Sequence, residues 1–233
     1  KIRFQTYLSN KNFFIEQKDI ALEKPANNKV DYVINAASNT HPILYSSDPI
    51  GTITTNIFGT SHLLEYCVEQ KVERFILLSS VEIYGENRGD TTLFREDYLG
   101  YIDSNTLRSG YPESKRLAES LCNAYQKKHN LDFVIARLSR IYGPNNFEND
   151  SKVMSQFIRN TVNNSDITLK SAGNQLFSYI YVADAVKAII LLLVKGKAGE
   201  AYNVGNESKS RSLKEIADFL ASINGKKVIF DIP

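Results

Sequence analysis

One stretch of the sequence, Arg74–Ser80, restricts the possible folds more than any other. Between the arginine and the two closing serines it reads Phe-Ile-Leu-Leu, which is continuously apolar. A strand with one face in water alternates apolar and polar residues, whereas a strand of a parallel sheet is covered on both faces and is apolar throughout. The stretch therefore predicts a strand inside a parallel sheet with helices on both faces.

Strands and helices alternate along the rest of the chain, which predicts an α/β fold. The other predicted strands cover residues 13–16, 29–37, 132–138, 167–170, 176–181, 200–204 and 227–230. The predicted helices cover the end of one helix at 1–8, then 48–70, 111–129, 152–163, 182–195 and 212–225. Asp48-Pro49 is a typical helix start, and Ser212 with Glu215 forms a capping box. Residues 141–146 are predicted as a turn, and 86–110 as a long polar loop.

Composition and charge exclude several classes of function. The net charge of +2 does not support binding to nucleic acid or to an anionic membrane surface. The longest apolar run, 188–194, is far shorter than the roughly 18–20 residues that span a bilayer, and no signal peptide opens the sequence. Cys67 and Cys122 are expected as free buried thiols in a reducing cytoplasm, and the three histidines show no metal-ligand spacing. We therefore assign no metal.

Tyr111 and Lys115 are the first candidates for chemistry. Four residues apart at the start of a predicted helix, they lie on one helical face. A free tyrosine has a pKa of about 10, and a nearby cation stabilises the phenolate. The pair could therefore act as a proton donor and acceptor, although a single Tyr-x-x-x-Lys is a weak signal.

Six motifs follow one another in a fixed order. They are Asp31-x-Val33-x-x-Ala36-Ala37, Asn56, Ser79–Gly85, Tyr111-x-x-x-Lys115, Arg137–Pro144 and Tyr179–Asp184. This succession resembles the extended short-chain dehydrogenase/reductases, the NAD-dependent nucleotide-sugar epimerase/dehydratase/decarboxylase family. The resemblance covers the chain from about Phe13 to Pro233.

The resemblance implies a Rossmann-like doubly wound parallel sheet that lacks its first βαβ unit and carries a smaller C-terminal substrate lobe. The partial NAD-binding domain would occupy residues 1–146, with elements returning near 176–204, and the substrate lobe 147–233. The implied cofactor is NAD, with NADP not excluded. The implied substrate is a UDP- or dTDP-linked nucleotide sugar, and the implied assembly is a homodimer through helices 48–70 and 112–129.

The resemblance also implies roles for individual residues. Tyr111 would be the catalytic acid/base, Lys115 would hold the nicotinamide ribose and lower the tyrosine pKa, and Ser80 would bind the reacting sugar oxygen. Without the resemblance, Ser80 is simply the polar end of a strand. The implied cofactor-binding residues are Asp19, Ile20, Ala36, Ala37, Ser38, Asn56, Tyr111 and Lys115. The implied substrate-binding residues are Thr40, His41, Arg140 and Asn145.

Glu82 bears on the type of reaction. Dehydratases and some decarboxylases of the resembled family carry an acidic residue here, and Glu82 is assigned as catalytic on that basis. The 4,6-dehydratases also place an Asp immediately before it, where this chain has Val81, which cannot donate a proton. The pattern is most similar to UDP-glucuronate decarboxylases. The alternative is a loop carboxylate that faces water.

The residues that would bind the substrate diphosphate depart from the resembled pattern. Phe177 and Ser178 stand where many relatives have an Arg, and Arg140 stands where relatives commonly have Asn. Because Arg binds phosphate bidentately and Phe cannot, we expect the clamping charge to have moved to Arg140. The alternative is a surface Arg on a loop.

The glycine-rich turn that binds the cofactor pyrophosphate is missing, since no glycine precedes Gly51. We therefore expect the sequence to be part of a longer protein and to bind NAD poorly alone. Decarboxylase, epimerase, dehydratase and 4-keto-sugar reductase all stay open. A non-catalytic NAD- or nucleotide-binding member of the fold and a pure interaction domain are the other classes.

Overall fold

The computed structural model describes residues 4–26, 28–144, 150, 152–206 and 210–232. The strands are β1 (Tyr32–Asn35), β2 (Arg74–Ser80), β3 (Phe133–Leu138), β4 (Arg140–Tyr142), β5 (Ile167–Leu169), β6 (Leu176–Phe177), β7 (Tyr179–Tyr181), β8 (Ala201–Val204), β9 (Arg211–Ser212) and β10 (Val228–Phe230). The helices are α1 (Pro42–Ser47), α2 (Pro49–Gln70), α3 (Gly110–His129), α4 (Val153–Val162), α5 (Val182–Lys195) and α6 (Leu213–Ser222).

The main sheet has four strands in the order β1-β2-β3-β8, and every pair is parallel. Phe75, Ile76 and Leu77 of β2 are fully buried. Phe75 and Leu77 face a core built with α2 and α3, while Ile76 faces a second core built with α5. The prediction from the apolar run is confirmed: the chain folds as a Rossmann-like parallel sheet with helices on both faces.

A third apolar cluster lies outside the main sheet. Phe157 of α4, Ile167 and Leu169 of β5, and Leu213 and Ala217 of α6 form it. The strands β5 and β10 pair in parallel beside it. These elements fall within the predicted substrate lobe, whose boundaries stay a prediction.

Local sequence signals explain where the helices begin and end. The Asp48 carboxylate accepts a hydrogen bond from the backbone N–H of Gly51 at 2.9 Å, with Pro49 in the first helical position of α2. Lys71 caps the C-terminus of helix α2 and Asn130 that of α3, both in the left-handed conformation. The Ser212–Glu215 capping box is present at α6, as predicted.

Several predictions of secondary structure are wrong. Residues 13–16 form no strand: Phe14 is 85% exposed, and Phe13 packs its ring against Phe4 and Tyr7 in a local aromatic cluster. Near the start of the chain, the structure has only a single 3₁₀ turn at Gln5–Tyr7 rather than the end of an α-helix, and residues 1–3 lie outside the described part.

Tertiary pairing corrects two further segments. The predicted turn at 141–146 begins as strand β4, which pairs in parallel with β7. The predicted strand at 176–181 is divided at Ser178, since β6 pairs antiparallel with β9 instead. Helix α1 was not predicted.

No helix in the described ranges of the chain is both long and apolar enough to cross a bilayer. No group of three or more His, Cys, Asp or Glu side chains in these ranges is arranged to hold a metal ion.

Candidate functional site

A cavity of about 520 Å³ lies at the carboxyl ends of the main-sheet strands, where open α/β sheets bind ligands. Its walls come from the segment after β1, the end of β2, the start of α3, strand β4 and the start of α4. Of the predicted site residues it is lined by Ala36, Ser38, Thr40, Ser80, Glu82, Tyr111, Lys115 and Arg140. Residues separated by more than 100 positions in the sequence therefore share one site.

Ser80 and Tyr111 meet at this edge of the sheet. Ser80 ends β2, and its Oγ accepts a hydrogen bond from the Glu82 backbone N–H at 3.2 Å. Tyr111 is only 7% exposed. Burial raises the pKa of Tyr111 to about 12, against the opposing effect of a hydrogen bond with the Ser80 side chain. The phenol is therefore protonated near neutral pH.

Lys115 lies one helical turn further along α3 and is 4% exposed. Its Nζ donates a hydrogen bond to the Leu78 carbonyl oxygen at 2.9 Å. Burial lowers the pKa of Lys115 to about 8, and the Glu119 carboxylate partly opposes this. The prediction that Lys115 lowers the pKa of Tyr111 is wrong for this structure, because burial dominates at Tyr111 and Lys115 points its ammonium at a backbone carbonyl.

Tyr45 of α1 is a site residue that the sequence reasoning missed. Its ring stacks on the ring of Tyr111, with centroids 5.2 Å apart and planes 16° from parallel. It also lines the cavity, and burial raises the pKa of its phenol. The only feature of the sequence that could have drawn attention to Tyr45 is its position three residues before the Asp48 helix cap. Without helix α1, nothing in the sequence placed it against α3.

Asn56 is connected to the backbone of Tyr111 through the Ser114 hydroxyl. Its Nδ2 donates to Ser114 Oγ at 2.9 Å, and that hydroxyl donates to the Tyr111 carbonyl oxygen at 2.8 Å. Asn56 is buried and does not line the cavity, so the structure gives it a positioning contact. Its Oδ1 has no hydrogen-bond partner among the described residues.

Glu82 lies between two arginines at the side of the cavity. Arg140 Nη2 is 3.3 Å from its Oε1, and Arg108 Nη2 is 3.5 Å from its Oε2. The Arg140 guanidinium also lies over the Phe177 ring, 3.8 Å from the centroid. Glu82 is thus not a carboxylate surrounded only by water, and Arg140 is fixed within the site.

Most of the remaining predicted residues do not line the cavity. His41 Nε2 is 3.0 Å from Asp150 Oδ1, next to the cavity, which Thr40 lines. Ala37 is exposed and does not line it. The cavity does not include Asp19 or Ile20 either: the Asp19 side chain accepts from the Ala21 N–H, and Ile20 packs against α2. Asn145 lies outside the described residues. These assignments stay predictions.

A parallel sheet with a serine and a Tyr-x-x-x-Lys pair at its carboxyl edge defines a member of the short-chain dehydrogenase/reductase class. The family model described as "NAD dependent epimerase/dehydratase family" matches residues 12–205. The chain belongs to this family.

Individual relatives give a finer comparison. The chain is 31% identical over 231 residues to UDP-glucuronic acid decarboxylase 1 of Arabidopsis thaliana, covering 97% of this chain and 52% of that protein. It is 32% identical over 189 residues to dTDP-D-glucose 4,6-dehydratase of Dictyostelium discoideum, covering 79% and 43%. The structure matches that of UDP-glucuronic acid 4-epimerase from Bacillus cereus in complex with UDP-glucuronic acid and NAD, with 26% identity, a TM-score of 0.84, and coverage of 98% and 71%. The chain spans about half the length of the curated relatives it matches.

Proposed function

We propose that the protein is an enzyme that modifies the sugar of a UDP- or dTDP-linked nucleotide sugar through a transient keto intermediate, using NAD. A step such as decarboxylation, 4-epimerisation or dehydration follows the oxidation. The observation that carries this proposal is the convergence of Ser80, Glu82, Tyr111 and Lys115 in one cavity. Lys115, Arg140 and Lys152 line it with Glu82 as the only acid among the described lining residues, which favours an anionic ligand such as a diphosphate.

The residues present fit the cofactor that the family uses. Ser38 Oγ and Ser139 Oγ are buried beside the cavity with no hydrogen-bond partner in the described part of the chain. Buried hydroxyls are normally paired, so two unpaired ones at a cavity wall are suited to a polar ligand. Ser38, Lys115 and Tyr111 would hold the cofactor, with NADP as the other candidate. When bound, NAD would accept hydride from the sugar and return it.

Tyr111 and Ser80 supply the proton chemistry in this proposal. Ser80 would orient the sugar oxygen, and Tyr111 would exchange a proton with it. Because Tyr111 is protonated near neutral pH, the structure as it stands is set for donation to a sugar oxygen. A nucleotide-4-keto-sugar reductase, in which donation is the step required, is the second candidate function, whereas oxidation of a sugar hydroxyl would require Tyr111 to release its proton first.

Glu82 and Val81 narrow the choice of reaction. Both line the cavity, but Val81 carries no proton to protonate a leaving hydroxyl. A 4,6-dehydration would need another acid at this point. Loss of carbon dioxide from a keto acid needs no such acid, so a decarboxylase-like reaction has the strongest support, with Glu82 as an acid/base near the reacting carbon.

A direct assay tests the proposal. The full-length protein would be incubated with a panel of UDP- and dTDP-sugars that includes 4-keto-sugars, once with NAD and once with NADH, and products would be read by mass spectrometry. Loss of about 44 Da, the mass of carbon dioxide, indicates decarboxylation, and loss of water indicates dehydration. A new isomer of unchanged mass indicates epimerisation. A gain of two hydrogens, taken from NADH, indicates reduction of the sugar. Tyr111→Phe is the control and should lower turnover by about 10²–10⁴-fold. Nucleotide-sugar binding without turnover on every member of the panel would point instead to a non-catalytic member of the family.

The oligomeric state and the compartment belong to the same proposal. Phe58 on α2 and Leu117 on α3 are 52% and 46% exposed, which supports a homodimer formed through these helices. Sedimentation of the Phe58→Lys variant against wild type tests it, since an unchanged mass would contradict this interface. The free, buried thiols Cys67 and Cys122 support a reducing compartment such as the cytoplasm.

A further inference from the structure

The Glu82–Arg140 ion pair occupies a position that a ligand anion would need. Both side chains line the cavity, and their Oε1 and Nη2 atoms are 3.3 Å apart. The Arg140 guanidinium is also held on its face by the Phe177 ring at 3.8 Å. A guanidinium that is stacked on one side and paired at its edge has lost most of its freedom before any ligand arrives.

The charges around this pair are not balanced. Glu82 is shared by Arg140 and by Arg108, whose side chain is 75% exposed, so one carboxylate faces two guanidinium groups. Lys152 adds a further cation to the cavity wall. The excess positive charge favours a second anion here, and an Arg fork matches phosphate oxygens bidentately.

We infer that Arg140, held by Phe177, is the residue that binds the substrate's phosphate, and that Glu82 occupies it until the phosphate takes its place. The inference rests on the proposed function, because it presupposes a nucleotide-diphosphate ligand. The ligand's phosphate oxygens replace the Glu82 carboxylate on Arg140. Glu82 is thereby released towards the sugar beside Tyr111, so that the acid/base is free only when substrate is bound.

Binding of UDP and of dTDP to the full-length protein, measured by calorimetry with and without NAD, tests this inference without turnover. Arg140→Ala should weaken binding at least about ten-fold, as expected for loss of hydrogen bonds to a charged group. Arg108→Ala is the matched control, since it removes the same charge from the same carboxylate at an exposed position outside the cavity wall. It should change affinity less than about three-fold.

Removing the Glu82 carboxylate, which competes with the ligand's phosphate for Arg140, tests the exchange itself. Glu82→Gln should tighten nucleotide binding several-fold, and this gain should disappear in the Glu82→Gln/Arg140→Ala double variant. Circular dichroism and thermal melting establish that each variant is folded. Unchanged affinity in Arg140→Ala, or an equal gain from Glu82→Gln with and without Arg140, would overturn the inference while the proposed function stands. Failure of the wild-type protein to bind either nucleotide would overturn the proposed function, and the inference with it.

Discussion

The rings of Tyr45 and Tyr111 are stacked, with centroids 5.2 Å apart and an angle of 16° between their planes. One face of the proposed catalytic phenol is therefore covered by a residue that lies 66 positions earlier in the chain, on the short helix α1. Burial is also the main cause of the raised pKa of Tyr111. The stacked Tyr45 ring therefore both positions the Tyr111 phenol and contributes to the burial that keeps it protonated.

Replacement of Tyr45 tests this link. Tyr45→Ala exposes one face of Tyr111 to water, so the pKa of Tyr111 should fall from about 12 towards its ordinary value. The loss of an aromatic pair worth about 0.5–1.5 kcal/mol should lower kcat by roughly two- to thirteen-fold. The pH–rate profile of the reaction identified in the substrate panel would show both changes.

Tyr45→Phe is the control for this experiment, because it keeps the ring and removes only the hydroxyl. Its pH–rate profile should stay close to that of the wild-type protein. If alanine and phenylalanine variants behaved alike, the stack would have no part in setting the state of Tyr111.

The main elements could be predicted from sequence because their causes are local. The apolar run of Arg74–Ser80, the Asp48-Pro49 helix start and the Ser212–Glu215 box each act within a few residues, and each appears in the structure as expected. The same holds for the placing of Tyr111 and Lys115 on one face of α3. The strand predicted at 13–16 failed because apolar residues alone do not provide a neighbouring strand.

Contacts between distant segments could not be predicted. Glu82 and Arg140 are 58 positions apart, and the parallel pairing of β2 with β3, which sets Ser80 opposite Leu138, brings the segments that carry them together. The direction in which the pKa of Tyr111 shifts could not be predicted for a related reason. A lysine four residues away is visible in the sequence, whereas the burial that outweighs it depends on α1, β2 and the cavity wall.

Lys115 should make the folded protein less stable at neutral pH. Its pKa falls from 10.5 to about 8 on folding, because burial disfavours the ammonium. At about 1.4 kcal/mol per pH unit, this difference corresponds to a cost on the order of 3 kcal/mol. The cost is fully present below about pH 8, where Lys115 is protonated in both the folded and the unfolded chain. Between about pH 8 and 10.5 only the unfolded chain keeps the proton on Lys115, so the cost decreases as the pH rises, and above that range it is absent.

Lys115→Met should therefore raise the free energy of unfolding at pH 7 while abolishing activity. Urea unfolding at intervals from pH 7 to 11 would measure the gain, which should shrink as the pH rises through this range. Lys127→Met, at an exposed position on the same helix, is the control and should show no such pH dependence. A gain that persisted unchanged at pH 11 would contradict the explanation.

The ion pair between Glu119 and Arg137 should be costly to break. The two groups are 2.8 Å apart, with side chains only 10% and 12% exposed, and Ser79 Oγ donates to Glu119 at 2.6 Å. Glu119→Gln leaves Arg137 buried without its counter-ion, which should cost about 3–5 kcal/mol in urea unfolding. Glu113→Gln, which breaks an exposed pair with Arg116 on the same helix, should cost less than about 1 kcal/mol.

A double variant separates charge from packing in this pair. If the cost of Glu119→Gln comes from the unpaired guanidinium, Glu119→Gln/Arg137→Gln should be less destabilised than the sum of the two single variants. Additive costs would show that the two side chains contribute independently.

Gly85 should be required for the loop between residues 86 and 106 to return to the segment that follows β2. Its φ is +64°, and an added Cβ would lie 1.8 Å from the Tyr101 carbonyl oxygen. That oxygen accepts a hydrogen bond from the Glu86 N–H at 2.9 Å, and the Tyr101 N–H donates to the Tyr84 carbonyl oxygen at 3.0 Å. A side chain at Gly85 must therefore push Tyr101 away and break the contacts that close the loop.

Gly85→Ala should cost about 3 kcal/mol in the free energy of unfolding, from backbone strain together with the lost hydrogen bonds. Gly89→Ala is the matched control, because Gly89 has a φ of +83° but open space where a Cβ would lie. It should cost only the strain, about 1 kcal/mol. Limited proteolysis should then cut the loop faster in Gly85→Ala than in Gly89→Ala. Equal unfolding energies and equal cleavage rates would mean that the close approach to Tyr101 does not hold the loop in place.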